Sequence, residues 1–367
     1  MNPIIKNLFR IIDRGMLGLN RGVTMGLPKL ETIMDGVQRQ TYTIICGGTG
    51  SGKTTLALYS YVYKPLTAHL GDMKHRIVYF SLEMTAEILV AKLLSLHLYE
   101  TYGIEMSYKR IISKQDILTE DERELLESCI PWLEQMLAQL TIIDKATSAD
   151  SLYASMMEYA EKHGTFDYSD PNRVVYNSTL EDELVQIIVD HLGLLKRVKN
   201  RNKKEEMDLA SNYLMSTRNA CGYSPLVLLQ LNRSASSMDR RGANMQEIEL
   251  GDIKDSGGPS EDAEVILAIF HPWREKLGKS KNFNIRILQD KYRAIQVLKN
   301  RLGEADKSVS VNFFGSIGLW REFPMKGDEF NALSETAMQE YLHLTRDYEQ
   351  AETDMAEAEK PKFVFKL

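Results

Sequence analysis

The chain has 367 residues, of which 43% are hydrophobic and 26% charged, enough for one large folded domain with appendages. The formal net charge of −6 does not mark the whole chain as a nucleic-acid binder, although an acidic body can carry a local basic surface. No apolar run approaches the ~18 residues that a membrane span needs, and no signal-peptide cleavage pattern follows the N-terminus. The three cysteines lie far apart, which is typical of buried thiols in a reducing compartment. We therefore expect a soluble cytoplasmic protein without a membrane partner.

Residues 1–20 predict a short amphipathic helix. Apolar side chains recur there at helical spacing with basic residues between them: Ile4, Ile5, Leu8, Ile11 and Ile12. The apolar face must dock on something, and the sequence leaves open whether it packs on its own domain or on a neighbouring subunit.

A glycine-rich loop follows the first predicted strand, 42–46. Its residues are Gly47, Gly48, Thr49, Gly50, Ser51, Gly52, Lys53, Thr54 and Thr55, and they lead into a helix. Glycines let backbone N–H groups surround phosphate oxygens, and the start of a helix favours negative charge. Lys53 adds a positive charge, and the Thr54 hydroxyl can bind Mg²⁺. This P-loop pattern predicts a nucleoside triphosphate site that holds ATP with Mg²⁺.

Four further apolar runs predict buried strands, alternating with helical segments. The strands are predicted at 76–81, 141–144, 185–190 and 226–231, and the helices at 85–102, 113–138, 148–163 and 205–221. Residues 164–181 read as an inserted loop with room for a small hairpin at 174–176.

The C-terminal third has a different spacing. Closely spaced strands are predicted at 264–270, 284–288, 294–299, 308–314 and 318–323, which indicates an antiparallel meander. The fold class is therefore α/β: a P-loop core with a mostly parallel sheet, extended by antiparallel strands. We divide the chain into a helix at 1–20, an ATPase domain at 21–325 and an acidic helical tail at 326–367.

Polar residues close three of the predicted strands near the P-loop. Asp190 ends one strand, where a carboxylate can hold the water shell of Mg²⁺. Glu83 follows another and could act as the general base on the attacking water, although a Glu at a helix start is common. Gln230 ends a third and could sense a γ-phosphate, or could satisfy a nearby backbone group.

Basic residues occur in two further contexts. Lys299 and Arg301 sit at a hairpin-like turn, where they could face a neighbouring subunit's nucleotide or carry ordinary solvated charge. The run 196–204 and the polar stretch 232–260, which includes Lys254 and Gly257, are candidate nucleic-acid loops. Few aromatic residues interleave there, so we expect a grip on the phosphate backbone rather than base stacking.

Taken in order, these motifs resemble the C-terminal, RecA-like motor domain of the DnaB-family replicative helicases. The resemblance spans residues 20–323. Besides the P-loop, the matching segments are 80–84 (FSLEM), 187–192 (IIVDHL), 229–234 (LQLNRS), 252–257 (DIKDSG) with 261–264 (EDAE), and 299–303 (KNRLG).

The resemblance implies a role for each matching position. Glu83 would be the catalytic base, Asp190 would serve Mg²⁺ and Gln230 would sense the γ-phosphate. Lys299 and Arg301 would act in trans on the ATP of the next subunit in a hexameric ring. Arg233, Lys254, Asp255 and Gly257 would hold single-stranded DNA in the central channel. The N-terminal helix would resemble the linker helix that docks on the adjacent subunit.

The chain departs from the family pattern in several places. The P-loop wording is closer to that of recombination-type ATPases, and His191 replaces the Tyr that commonly follows the Walker B Asp. About 20 residues precede the core, too few for a primase-binding domain, which disfavours primase-coupled loading by that route. A primase or a helicase loader is a candidate partner. Two alternatives to a helicase stay open: a recombination or regulatory ATPase like RadA or KaiC, and an ATP-bound replication scaffold that does not unwind DNA.

Overall fold

The computed structural model describes residues 2–114, 116–170, 173–232, 247–253, 257–281 and 283–323. The predicted acidic tail at 326–367 lies outside the described residues. Within the described part of the chain, no helix is both long and apolar enough to cross a bilayer.

One nine-stranded sheet organises the chain. Its strands are β1 (Thr43–Gly47), β2 (His75–Ser81), β3 (Leu140–Ile143), β6 (Leu184–Asp190), β7 (Ser224–Gln230), β8 (Val265–Phe270), β11 (Tyr292–Asn300), β12 (Lys307–Phe314) and β13 (Leu319–Glu322). They lie in the order β13-β12-β11-β8-β1-β7-β6-β2-β3. The first six strands along the chain run parallel to one another, and the last three add antiparallel pairs. The predicted α/β class is confirmed.

Ten helices cover this sheet or extend from it within the described residues up to Cys221. They are α1 (Pro3–Met16), α2 (Pro28–Met34), α3 (Lys53–Leu56), α4 (Lys64–Ala68), α5 (Ala86–Tyr102), α6 (Tyr108–Ile111), α7 (Glu120–Ser128), α8 (Ile130–Gln139), α9 (Ala149–His163) and α10 (Lys203–Cys221). A π-helical segment, Ala57–Tyr63, joins α3 to α4, and short helices follow at Gly257–Asp262 and Ile285–Leu288.

The central strands are apolar throughout because helices cover both faces of the sheet. Alternate residues of β1 and β2 enter opposite cores: Ile45 and Tyr79 pack with α3 to α5, whereas Ile44 and Phe80 pack with α9 and α10. This alternation follows from the two-residue period of a strand.

Local signals set several helix ends. Ser148 caps α9 by accepting a hydrogen bond from the Ser151 N–H at 3.2 Å, an interaction that contributes about 1 kcal/mol. Asn202 and Glu205 form a capping box at the start of α10. Gly103 ends α5 with φ of 67°, a conformation that glycine adopts readily.

The inserted segment forms a two-stranded hairpin, β4 (Gly164–Asp170) with β5 (Arg173–Ser178). It is longer than the hairpin predicted at 174–176. The Tyr176 hydroxyl donates to the Ala160 carbonyl at 3.0 Å, so the hairpin is attached to the end of α9.

Two details of the predicted meander are wrong. β8 is not antiparallel to its neighbour in the core but pairs parallel with β1, Thr43 opposite Val265, because the long connection from β7 leaves room for a crossover. Residues 284–288 form no strand of the main sheet: only β10 (Phe283–Asn284) pairs, with β9 (Lys279–Ser280), and a short helix follows. The Asn284 side chain starts that helix by accepting from the Arg286 N–H.

Candidate functional site

The parallel strands end together at one edge of the sheet, which we call the carboxyl edge. Gly47 lies opposite Gln230 in β7, and Ser81 lies opposite Asp190 in β6. Ligands of open α/β sheets bind at this edge. The structure therefore brings the P-loop together with three of the polar positions predicted from the sequence.

The P-loop glycines are required by the local geometry. Gly50 and Gly52 have φ of 73° and 104°, in the region that side chains disfavour. A Cβ on Gly47 would approach the Ser51 Oγ to 2.5 Å, whereas a Cβ on Gly48 would meet nothing within 4 Å. The loop is thus tightly curved and leaves open space beside Gly48. Thr49, Thr54 and Thr55 are further P-loop residues that the sequence predicts to bind the nucleotide.

Lys53 begins α3, and its ammonium lies inside the loop. Its Nζ donates to the carbonyl oxygens of Gly47 at 3.0 Å and Gly48 at 3.1 Å. Burial lowers the pKa of Lys53, while the nearby negative charges of Asp190 and Glu83 oppose that shift. A buried ammonium that donates to carbonyl oxygens can readily exchange them for phosphate oxygens.

Asp190 is 1% exposed at the end of β6. The Tyr79 hydroxyl donates to its Oδ2 at 2.8 Å, and Thr54 also bonds to it. Burial raises the pKa of this carboxyl, and the hydrogen bonds from Thr54 and Tyr79 oppose the increase. One hydroxyl and one carboxylate, side by side, form the oxygen donor set that Mg²⁺ uses beside phosphates. The residues present therefore fit the metal predicted from the sequence.

Glu83 lies two residues beyond β2 and is exposed. The turn that carries it is fixed by the Leu82 N–H, which donates to the Asp190 carbonyl at 2.7 Å, and by the Ser81 hydroxyl, which donates to the Met84 carbonyl. Its charge reaches both Lys53 and Asp190. A carboxylate placed this way can accept a proton from water beside a bound phosphate.

Gln230 ends β7, and its Nε2 lies 3.5 Å from the Nε2 of His191. Burial, with the positive charges of Lys53 and Lys203, lowers the pKa of His191 to about 4. His191 is therefore neutral near pH 7 and can accept the Gln230 amide hydrogen. Among the described residues, neither the buried Nδ1 of His191 nor the buried Oγ of Ser51 has a hydrogen-bond partner. Such orphaned polar atoms at a cradle fit a polar ligand.

Lys299 and Arg301 lie at the opposite edge of the sheet, where the parallel strands begin. We call this the amino edge. The Arg301 N–H donates to the Glu264 carbonyl, and Asn300 pairs with Val265, whose β1 neighbour is Thr43. Four residues of strand, about 13 Å, separate this position from the protein's own P-loop. The structure does not bring these two cations to the site formed by the same chain.

The predicted DNA-binding residues are only partly described. Arg233, Lys254 and Asp255 lie outside the described residues. Gly257 is exposed at the start of a short helix, and a Cβ there would lie 3.8 Å from the Nζ of Lys204. One end of the predicted loop therefore adjoins the basic run at 196–204.

Sequence analysis did not predict a group of residues beside the P-loop, at the start of β11 and just after the end of β8: Arg293, Trp273 and Arg274. The Ser51 turn of the P-loop rests on Arg293, whose Nε donates to the Ser51 carbonyl at 3.1 Å. Burial lowers the pKa of Arg293 to about 10. An open cavity of about 730 Å³ adjoins Gly50 and is lined by Trp273 and Arg274. A charged residue inside the apolar run of β11 was the available signal for Arg293.

A P-loop at the carboxyl edge of a mostly parallel sheet, with a buried acid at the end of β6, two strands away from β1, defines a P-loop nucleotide-binding protein of the RecA-like fold. Residues 22–322 match the family model described as "DnaB-like helicase C terminal domain", and the chain belongs to that family.

Two curated proteins, each named "Replicative DNA helicase DnaB" and from two strains of Helicobacter pylori, are 25% identical to the chain over 252 residues. The matches cover 68% of this chain and 44% and 43% of the two relatives, so the chain spans less than half of their length.

Two solved structures share the fold. One, whose title begins "ATPase Domain", has a TM-score of 0.66 at 18% identity, and the match covers 88% of this chain and 100% of that one. The structure titled "The Structure Of A DnaB-Like Replicative Helicase And Its Interactions With Primase" has a TM-score of 0.64 at 18% identity, covering 87% and 68%.

Proposed function

We propose that this chain is the motor of a ring-forming DNA helicase that hydrolyses ATP at subunit interfaces and translocates on single-stranded DNA during replication. The observation that carries the proposal is the division of the ATPase residues between the two edges of the sheet. The carboxyl edge holds a P-loop, an acid and a base, whereas the cations Lys299 and Arg301 lie at the amino edge.

At the carboxyl edge, each side chain has a distinct task. Lys53 would exchange its carbonyl partners for the β- and γ-phosphates, and Thr54 with Asp190 would hold Mg²⁺, which neutralises phosphate charge. Glu83 would take the proton of the attacking water. The loop glycines and the N–H groups of residues 47–55 would surround the phosphates.

In this proposal, Gln230 links the nucleotide to the loop at 232–260 that would bind DNA. The next residue, Leu231, pairs with Ile253, and the Asn232 N–H donates to the Asp252 carbonyl at 2.7 Å. A γ-phosphate that pulls on Gln230 would therefore act on backbone one residue from Lys254. This short path supports a relay from ATP hydrolysis to DNA movement.

The state of Lys299 and Arg301 supports action in trans. The Lys299 Nζ donates to the carbonyls of Ser260 and Glu261, at 2.8 and 3.1 Å, and an Nη of Arg301 donates to the Glu261 carbonyl at 3.2 Å. Among the described residues, neither cation forms an ion pair with a carboxylate. Both cations can therefore exchange carbonyl oxygens for the phosphates of an adjacent subunit's nucleotide.

Helix α1 supports the same ring. Its apolar side chains face solvent, with Ile4 77% and Leu8 53% exposed. An exposed apolar stripe on a helix needs a partner surface. A groove of about 450 Å³ between α5 and α8, lined by Val90, Leu94 and Leu137, is of suitable chemistry to receive it from a neighbour.

The residues proposed to contact single-stranded DNA are Arg233, Lys254, Asp255 and Gly257. The closeness of Gly257 to Lys204 adds the basic run 196–204 to that surface and supports a grip on phosphates. A primase or a helicase loader remains a proposed partner, and the cytoplasm the proposed location.

DNA-stimulated ATP hydrolysis, strand displacement on a forked duplex and particle size by electron microscopy test the proposal together. We expect stimulated turnover, unwinding and a hexameric ring. Stimulated turnover without unwinding would favour the RadA- or KaiC-like alternative, which the family assignment makes the weaker one. ATP binding without DNA-stimulated turnover would indicate the scaffold.

A further inference from the structure

Arg293, the second residue of β11, is a buried cation beneath the P-loop. Its side chain is 1% exposed. Its Nη1 donates to the carbonyls of Asp290 and Tyr292, at 2.5 and 2.8 Å, and its Nε donates to the Ser51 carbonyl at 3.1 Å. Since burying a guanidinium is costly unless it is fully bonded, this position needs a reason beyond packing.

The hydrogen bond to Ser51 falls at the most curved point of the loop. Ser51 stands between Gly50 and Gly52, both of which have positive φ. In a trans peptide the carbonyl and the following N–H point in opposite directions. By holding the Ser51 carbonyl, Arg293 fixes the orientation of the Ser51–Gly52 peptide, so that the N–H of Gly52 points away from the guanidinium.

Packing around Arg293 limits how the loop can move. The guanidinium carbon lies 5.1 Å from the centre of the Phe313 ring, and Phe313 stacks on Trp320 with centroids 4.4 Å apart. A Cβ on Gly52 would lie 2.7 Å from Trp320. The loop thus rests on an aromatic pair, and Arg293 supplies the directional bond there.

The charge of Arg293 is only partly neutralised. Within the described part of the chain, its one carboxylate partner is Asp290, which lies 3.4 Å from Nη2 and is 75% exposed. The same Oδ1 of Asp290 also lies 3.1 Å from the Nε2 of His271. The buried guanidinium is therefore less screened by solvent than its exposed carboxylate partner.

We propose that Arg293 is a positioning residue for phosphate binding, which orients the Ser51–Gly52 peptide and keeps the P-loop in its anion-binding shape. The proposal rests on the proposed ATPase function. Arg293 would not touch the nucleotide and would not take part in the chemical step.

The test compares three variants. Arg293→Met keeps much of the volume and removes the hydrogen bond, and Arg293→Lys keeps a donor and the charge. Arg76→Met is the matched control, because Arg76 is another buried arginine, 3% exposed, bonded to Glu183 and His163 at the amino edge. Binding of ADP and ATP by calorimetry, KM and kcat, Tm, and hydrogen exchange of the amides at 47–54 without nucleotide are measured for each.

We expect Arg293→Met to raise the nucleotide Kd and KM about tenfold, the usual order for a lost charge-assisted bond, with kcat changed less than about threefold. The amides at 47–54 should exchange faster. Arg293→Lys should regain part of the nucleotide affinity and part of the protection of the 47–54 amides from exchange. Arg76→Met should lower Tm at least as much and leave the nucleotide Kd and the exchange at 47–54 unchanged.

Wild-type affinity and exchange in Arg293→Met would overturn the proposal. So would equal losses in Arg76→Met, which would indicate general destabilisation. The exchange measurement needs no nucleotide, so it decides the role of Arg293 even if the wild-type protein does not hydrolyse ATP, a result that would remove only the proposed function.

Discussion

The charged residues around the P-loop at the carboxyl edge and the pair Lys299 and Arg301 at the amino edge are in opposite states. At the carboxyl edge Lys53, Asp190 and Arg293 are buried and hydrogen-bonded to fixed groups of the P-loop and its neighbouring strands. At the amino edge Arg301 is exposed and Lys299 half-buried, and both donate to backbone carbonyls only, within the described residues. The first edge is preorganised for a ligand, and the second is suited to supplying cations to another molecule.

The strongest test of this comparison mixes two inactive variants. Arg301→Ala alone should lose about a thousandfold or more in ATP turnover, the usual effect of removing an arginine finger. Lys53→Ala alone should also be inactive, because the P-loop loses the cation that would contact the phosphates. Mixed rings should regain activity, because some interfaces then pair an intact Lys53 with an intact Arg301. Steady-state turnover against mixing ratio measures this.

A mixture of Lys53→Ala with Glu83→Gln is the control. Both lesions lie at the carboxyl edge, so every interface keeps a defect and no recovery is expected. Recovery in the control, or none with Arg301→Ala at any ratio, would contradict action in trans.

Glu83→Gln should lower turnover about a hundredfold or more, the range for a lost general base, while ATP binding persists because Lys53 and the loop are unchanged. Measurements of ATP binding and of single-turnover hydrolysis distinguish a lost catalytic step from lost binding. Glu87→Gln, an exposed acid in the first turn of α5, should hydrolyse ATP normally. Normal ATP turnover in Glu83→Gln would show that Glu83 is not the general base.

Tyr79→Phe should raise the Mg²⁺ concentration for half-maximal activity about tenfold, as expected when a residue that orients a metal ligand is lost. The 2.8 Å hydrogen bond to Asp190 disappears, while the ring still fills the core. A Mg²⁺ titration of ATP turnover measures the shift. Tyr61→Phe, at a buried tyrosine in the π-helical segment, should leave the titration unchanged; an equal shift there would mean general loosening.

The smallest expected effect is on stability at low pH, at the amino edge. Burial, with the positive charges of His69 and Arg39, lowers the pKa of His75 to about 4. The unfolded chain binds this proton below about pH 6.5, so stability is complete above that pH and falls as the pH drops toward 4. The loss should be about 1.4 kcal/mol per pH unit in that window.

Urea unfolding at about pH 7.5, 5.5 and 4.5 measures this dependence on either side of the unfolded pKa. His75→Phe should reduce the pH dependence of the free energy of unfolding by about 1.4 kcal/mol per pH unit, without changing ATP turnover above neutral pH. A slope that matches the wild type would show that His75 does not titrate as its burial requires.

The sequence by itself determined the local features of this protein. Continuous apolar runs such as 185–190 and 226–231 predicted buried parallel strands, because a strand covered on both faces has no polar side. The glycine pattern at 47–52 predicted the phosphate cradle, because only glycine tolerates its curvature. The cap that Ser148 forms on α9 is equally local, since its partner Ser151 is three residues away.

Only the tertiary structure decided which distant residues meet. Whether β8 joins the parallel core or the meander depends on a long crossover, and sequence spacing alone does not fix strand direction. The same holds for Arg293, whose partner Ser51 lies 242 residues away in the chain. The separation of Lys299 and Arg301 from their own P-loop likewise follows from sheet register, which places them at the opposite ends of paired strands.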